Sequence, residues 1–303
     1  MALLLGLGSG GERAVAEAPE RSPRAASALV AAGAPRPALW RVADADTTIF
    51  LFGSIHVLRS QDKWLFPELE SALDAADVVY FEAPSDFFAQ SNVALTVARL
   101  AFNPAGVTLS EQLSSKARAQ LASVASRFSL EPDMLETMRP WYAFMALAAA
   151  AALSSGAEPT YGVDGVLEFE ARRAGKSVRT FETLEQQIRF FSELDQATQI
   201  ELLETSLQEL IDIPDQLEQL IAAWATADQA ALEDLAVGGL ARAPQPFFDT
   251  IYTNRNKAWA ETLDDVMREE AGVFLVVVGA AHLVGEDAVQ TLLRRRGFAV
   301  ERR

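Results

Sequence analysis

Two phrases near opposite ends of the chain share one form, and each ends on one of its only two histidines. Thr48-Ile49-Phe50-Leu51-Phe52 runs into Gly53-Ser54-Ile55-His56, and Val273-Phe274-Leu275-Val276-Val277-Val278 runs into Gly279-Ala280-Ala281-His282. A short, uninterrupted apolar run of this kind is the pattern of a buried strand. In α/β proteins ligands collect where strands leave the sheet at their carboxyl ends. Two strands that each deliver an imidazole to that edge would build one site from both ends of the chain.

The segments between them support such a sheet. Leu39 to Val42 and Thr48 to Phe52 flank the polar stretch Ala43 to Thr47, which predicts a β-hairpin. Phe66 to Ala76 has helical spacing with Pro67 suited to a first turn, and Val78-Val79-Tyr80-Phe81 is a compact β run ending at Glu82. Strand, helix, strand in that order implies a parallel pair with a right-handed crossover. Asp86 to Ser155 is helical and alanine-rich, with Leu113, Ala117, Leu121 and Val124 close to i, i+4 spacing and Trp141 to Leu153 reading as a buried helix. A strand returns at Ser177 to Phe181. Thr183 and Gln186 form a capping-box pattern opening a helical stretch, 184 to 236, interrupted at Pro214. Phe247 to Glu270 reads as one long helix. A last helix spans Glu286 to Arg296, Gly297 is its cap, and Phe298 to Val300 closes as a strand. The expected fold is mixed α/β, a central sheet with paired strand–GxxH units. The domain covers 38–303, with helical insertions or a cap at about 86–160 and 190–246.

Composition narrows the function. Half of the 303 residues are hydrophobic and 22% are charged, enough for a packed core. A formal net charge of −16 disfavours nucleic-acid binding and anionic membrane surfaces. Without cysteine there are no disulfides and no thiolate metal sites. No stretch approaches the ~20 apolar residues of a membrane span. Residues 1–37 stand apart. Ala2 to Leu7 is briefly apolar and Arg13 to Pro37 is rich in Ala, Pro and Arg, so the segment reads either as a disordered leader or as a truncated signal peptide with Ala14-Val15-Ala16 as its processing site.

A single GxxH is explained by a tight turn and a hydrogen-bonded loop histidine. The pair, with Glu82 ending a neighbouring strand, makes a 2-His-1-carboxylate set that can hold a divalent metal. Such a metal would bring the pKa of bound water to about 7. In a metal-free version one imidazole is the general base and Glu82 orients it. Asp164, in Tyr161-Gly162-Val163-Asp164, is read first as a helix N-cap and second as a site residue. Glu182 follows a strand and faces either the cleft or the next helix. Arg255, beside Asn256, either clamps a carboxylate, steadies an oxyanion or forms an ordinary ion pair.

Together these phrases resemble the TraB/GumN family, which includes the animal TIKI proteases. The resemblance rests on Leu51 to His56, Phe81-Glu82, Tyr161 to Asp164, Phe181-Glu182-Thr183 with Gln187, Arg255-Asn256 and Val278 to Leu283. It implies a fold similar to the erythromycin-esterase and ChaN-like group, and a metal-dependent hydrolase, most closely a TIKI-like peptidase supported by Mn²⁺ or Co²⁺; Zn²⁺ is a third candidate for the same donor set. It implies His56, Glu82 and His282 as catalytic and metal-binding residues and Arg255 as a supporting catalytic one; Asp164, Glu182 and Asn256 are the substrate-binding candidates beside them. The substrate would be a peptide or small molecule, and the location periplasmic or secreted, with a cytoplasmic alternative. Two other functions are compatible with the same cleft: haem or small-molecule binding without catalysis, with histidine as an axial ligand, and metal-free ester hydrolysis.

Overall fold

A computed structural model describes residues 35–85 and 87–303. Six strands form one mixed sheet: β1 (Leu39–Ala43), β2 (Thr47–Ser54), β3 (Val78–Phe81), β4 (Ser177–Thr180), β5 (Gly272–Gly279) and β6 (Val300–Arg302), in the order β4-β3-β5-β2-β1-β6. The four strands from β4 to β2 are mutually parallel, and β1 joins them as the antiparallel arm of the expected hairpin. Gly53 pairs with Val278 and Ser54 with Gly279, so the two histidine phrases leave the sheet level with one another. Phe81 stands opposite both Val277 and Thr180, which places Glu82 and Glu182 at the same carboxyl edge.

Period-2 alternation sorts the strand residues between two cores. Phe52, Val79, Phe81, Leu275 and Val277 pack with Trp141, Leu147, Leu203 and Leu207 from the helical middle of the chain. Ile49, Leu51, Val78, Tyr80, Phe274, Val276 and Val278 pack on the other face with Trp259, Leu263 and Val266 of the helix Asn254–Glu269 and with Val289 and Leu293 of Val289–Arg295. Both faces of the central strands are covered, which is why those runs are apolar without interruption. Among the described residues, no helix is long and apolar enough to cross a membrane.

Three boundaries differ from the sequence expectation. The helix Gln196–Ala225 runs through Pro214 unbroken. Pro214 offers no N–H to the Leu210 carbonyl, yet Leu203, Leu207, Leu210, Ile213, Leu217, Ile221 and Trp224 are all buried and hold the helix on both sides of it. The breaks fall instead before Asp195 and Asp228, whose carboxylates cap the helices that follow. The last helix is shorter than expected, Val289–Arg295, and the last strand begins at Val300 rather than Phe298. Phe298 N–H still donates to the Leu293 carbonyl, so Phe298 belongs to the helix cap around Gly297. Phe247 to Glu269 is continuous as expected, except that Asp249–Thr253 is a π-turn. Except for residues 35–37, the leader expected at 1–37 lies outside the described residues.

Replacing Pro214 by alanine should restore the missing hydrogen bond and remove a ring clash. We expect Pro214→Ala to raise the free energy of unfolding by about 1–3 kcal/mol, measured by urea denaturation; a lower midpoint would show that the proline packs a local bend that alanine cannot.

Candidate functional site

His56 lies just beyond β2. The Ile55 carbonyl there accepts the N–H of Val163 at 3.0 Å, docking the start of the helix Val163–Arg173 on the strand end. Asp164 is thereby carried to His56, with Oδ2 2.6 Å from Nδ1, while Ser54 Oγ donates to Oδ1 at 2.7 Å. The cap position belongs to Gly162, not to Asp164. A β-carbon on Gly162 would sit 2.1 Å from the His56 carbonyl oxygen, so only glycine permits this approach. With Nδ1 held by Asp164, His56 Nε2 is a buried nitrogen without a hydrogen-bond partner among the described residues.

Glu82 and Glu182 end adjacent strands, and the β3–β4 ladder continues past them: Phe181 N–H donates to Phe81 and Glu182 N–H to Glu82 at 2.9 Å. Two carboxylates this close and this buried require a cation. Arg255 supplies it. Its Nη2 donates to Glu82 Oε2 at 2.7 Å and to Glu182 Oε2 at 2.9 Å, and its Nε donates to Glu182 Oε1 at 2.7 Å. Trp259 Nε1 and Gln187 Nε2 donate to Glu182 as well, each at 3.1 Å. The guanidinium carbon lies 4.5 Å from the centre of the Trp259 ring, a cation–π contact in a desolvated setting. The π-turn Asp249–Thr253 directly precedes this helix. An inserted residue re-aims the side chains that follow it, and π-turns recur at functional sites for that reason.

His282 sits on a 3₁₀ turn, Ala280–Leu283, after β5. Its Nδ1 is 2.5 Å from Asn256 Oδ1, and Asn256 Nδ2 donates to the Asp287 carbonyl at 2.9 Å. An amide oxygen only accepts, so the imidazole proton lies on Nδ1. Nε2 is then an acceptor, 3.2 Å from Arg255 Nη1. The three predicted residues converge beside Gly279. A β-carbon there would lie 3.1 Å from Glu82 Oε1, 3.4 Å from His56 Nε2 and 3.6 Å from His282 Cδ2, while the Gly279 N–H itself donates to Glu82 Oε1 at 2.6 Å.

A cavity of about 550 Å³ opens above this cluster, with His56, Glu82 and Asp164 at its base. His282, Arg255, Asn256 and Glu182 do not line it; they are buried behind Glu82 and hold it in place. Asn256 and Glu182, expected to bind substrate, contact His282 and Arg255 respectively and do not line the cavity. Sequence reasoning missed Ser54, although it lies inside the first GxxH phrase, and Trp259, four residues after Arg255 on the same helical face. Among the described residues no three His, Asp or Glu side chains already stand as a metal cage; the cation touching Glu82 and His282 is Arg255.

The electrostatics follow from this packing. Burial alone would lift the Glu82 pKa, but Arg255, reinforced by the Gly279 N–H, outweighs it and holds the carboxyl at about 2. Burial and the Arg255 charge push His282 down to about 3, so it is neutral. His56 is the opposite case: burial pulls it down, and the charge and hydrogen bond of Asp164, with Glu82 beyond, overcome that and raise it above the ordinary value. Burial also opposes the charge on Arg255, but Glu82 and Glu182 raise its pKa.

A six-stranded mixed sheet carrying a buried His–Glu–Arg–His cluster at its carboxyl edge defines an α/β protein with a strand-end site. The chain belongs to the TraB/PrgY/gumN family, which it matches over residues 38–302. It is 28% identical over 245 residues to protein YbaP of Escherichia coli (strain K12), covering 80% of this chain and 87% of that one; YbaP of Shigella flexneri matches to the same extent, and both are described as uncharacterized. No solved structure matches the chain significantly.

Two outcomes test the site as built. Gly162→Ala should cost about 1–3 kcal/mol of stability through overpacking and separate His56 from Asp164, visible as a displaced imidazole resonance in NMR; an unchanged resonance would mean the turn can yield. The unfolded chain protonates His282 near 6.5 whereas the folded protein does so only near 3, so this group withdraws stability as pH falls from 6.5 towards 3. Glu82 adds a second loss between 4.5 and about 2. His56, raised when folded, acts in the other sense, stabilising in acid and losing that contribution as pH rises through its folded pKa. In urea melts at pH 7.5, 5.5 and 4.5, we expect wild type to lose more stability on acidification than His282→Gln.

Proposed function

We propose that the chain is a hydrolase that activates water at His56 Nε2, and that its donor set suits a divalent ion. The observation that carries this reading is the buried Nε2, unpartnered among the described residues, of a histidine that lines the cavity and whose Nδ1 is tied to Asp164 at 2.6 Å. A carboxylate on one imidazole nitrogen orients the other, whether that nitrogen binds a metal or takes a proton.

Three features support a metal. Both imidazoles have Nδ1 held by a side-chain oxygen, the usual arrangement for metal-ligating histidine. Glu82 lies between them beside Gly279. The two buried glutamates share one guanidinium, leaving a formal negative charge that a further cation would offset. His56, Glu82 and His282 would hold the ion, which would supply an acidified water and polarise a substrate carbonyl. Mn²⁺, Co²⁺ and Zn²⁺ are the candidates. Arg255 already donates to Glu82 and His282, and releasing part of that contact would accompany ion entry. Arg255 also keeps positive charge behind Glu82, where it would temper the negative charge that develops during hydrolysis. The resemblance of the motifs to those of the TIKI proteases points this reading toward a peptide substrate.

The Arg255 contact to His282 Nε2 favours a second reading, metal-free hydrolysis with His56 as the general base. Metal titration by calorimetry and hydrolysis of peptide and ester substrates separate the two. On the first reading, chelation should cut turnover at least about 100-fold, added Mn²⁺ should restore it, and His56→Ala should lose both metal and activity. Asp164→Asn should cost about 10–100-fold in metal affinity. Activity that survives chelation yet needs His56 would establish the second reading. There, Asp164→Asn should move the acid limb of the pH profile to lower pH, because Asp164 is what raises His56. No turnover and no metal uptake under any condition would overturn both.

A further inference from the structure

The cavity above His56 has two unlike walls. The helix Val163–Arg173 presents Asp164, Glu168 and Arg172 at four-residue spacing, and this polar side is already engaged: Glu168 takes Arg172 Nε at 3.0 Å and the Ser85 N–H at 2.8 Å. The helix Leu184–Ser192 presents Leu184, Ile188 and Phe191, joined by Met145 from Pro140–Leu153. At the mouth stands Phe169, 60% exposed. Four residues before it, on the same helical stripe, is Gly165.

Gly165 lines the cavity, has no left-handed backbone requirement, and would place a β-carbon with no atom of the described residues within 4 Å. Neither close packing nor backbone conformation explains a glycine inside this helix, where it costs stability relative to alanine. Among the described residues, its effect is to leave space open in the cavity wall beside Asp164.

Building on the hydrolase reading, we infer that the site takes an acyl group with a bulky apolar side chain, seated against Met145, Leu184, Ile188 and Phe191, and that Gly165 sets the size limit. The apolar wall removes that side chain from water, Phe169 covers it at the mouth, and the scissile carbonyl lies over His56 Nε2. An acyl group of this kind belongs equally to a peptide or an ester.

The experiment reads binding and turnover separately. Acetyl-4-fluorophenylalanine amide is titrated against the full chain and followed by ¹⁹F line broadening, with acetylglycine amide as competitor. Acetyl-Gly and acetyl-Phe p-nitroanilides and the matching esters report cleavage. The fluorinated probe should bind and acetylglycine amide should fail to displace it. Gly165→Leu should weaken the probe about ten-fold or more, in the range a pocket extracts for such a change in fit, and Ile188→Asp should abolish binding. Gly165→Ala should melt higher than wild type and weaken the probe less than Gly165→Leu, which confirms that the effect is space and not misfolding. Probe binding without cleavage of any substrate would uphold the pocket and sink the hydrolase reading. Cleavage that ignores acyl size, or equal probe affinity in wild type and Gly165→Leu, would overturn this inference and leave the hydrolase reading standing. Faster cleavage of the anilide or of the ester identifies which source of the acyl group the enzyme uses.

Discussion

The buried pairing of Arg255 with Glu82 and Glu182 is the constraint on which the site depends. Neighbouring parallel strands bring two carboxylates side by side, and neither can remain ionised in a dry interior without a partner. Arg255 reaches both, at 2.7 Å each, from a helix on one face of the sheet. The same guanidinium contacts His282 and stacks on Trp259, so strands β3, β4 and β5 and the helix Asn254–Glu269 are locked through one side chain. Glu82 ends up pinned between that arginine and the Gly279 N–H, facing the cavity in one orientation.

The paired GxxH phrases do different work. In the first, Gly53 lets the β5 turn approach, since a β-carbon would stand 3.0 Å from Ala280 Cα, and His56 is left partly open to the cavity. In the second, Gly279 is the point around which Glu82 and both histidines gather, and His282 is buried and neutral. Equal phrases thus produce unequal imidazoles. One is paired with a carboxylate and raised; the other lies beside a cation and is depressed. The divergence comes from the neighbours alone, a carboxylate beside one ring and a guanidinium beside the other.

Much of this was legible before any coordinates. The uninterrupted apolar runs at Thr48 and Val273 mark strands covered on both faces, and the hairpin, the Thr183 capping box and the Ala-rich helix Pro140–Leu153 follow local rules. Where reading by local rules failed, a long-range contact prevailed. Pro214 signals a break, but buried leucines and isoleucines on either side hold the helix together. Asp164 is a plausible cap, but Gly162 takes that position because the His56 carbonyl leaves no space for a side chain. The π-turn before Arg255 has no signature of its own in residue type.

The sequence by itself determined the strands, the edge at which their acids and histidines emerge, and the family, because these depend on hydrophobic period and short phrases. Tertiary structure alone decided who partners whom: that Asp164 belongs to His56, that Arg255 serves two glutamates, and that Glu182 and Asn256 lie behind the cavity wall rather than line it. Those assignments rest on hydrogen bonds between residues up to 173 positions apart, whose directions are set by the packing of helices on the sheet and by nothing in the local chain.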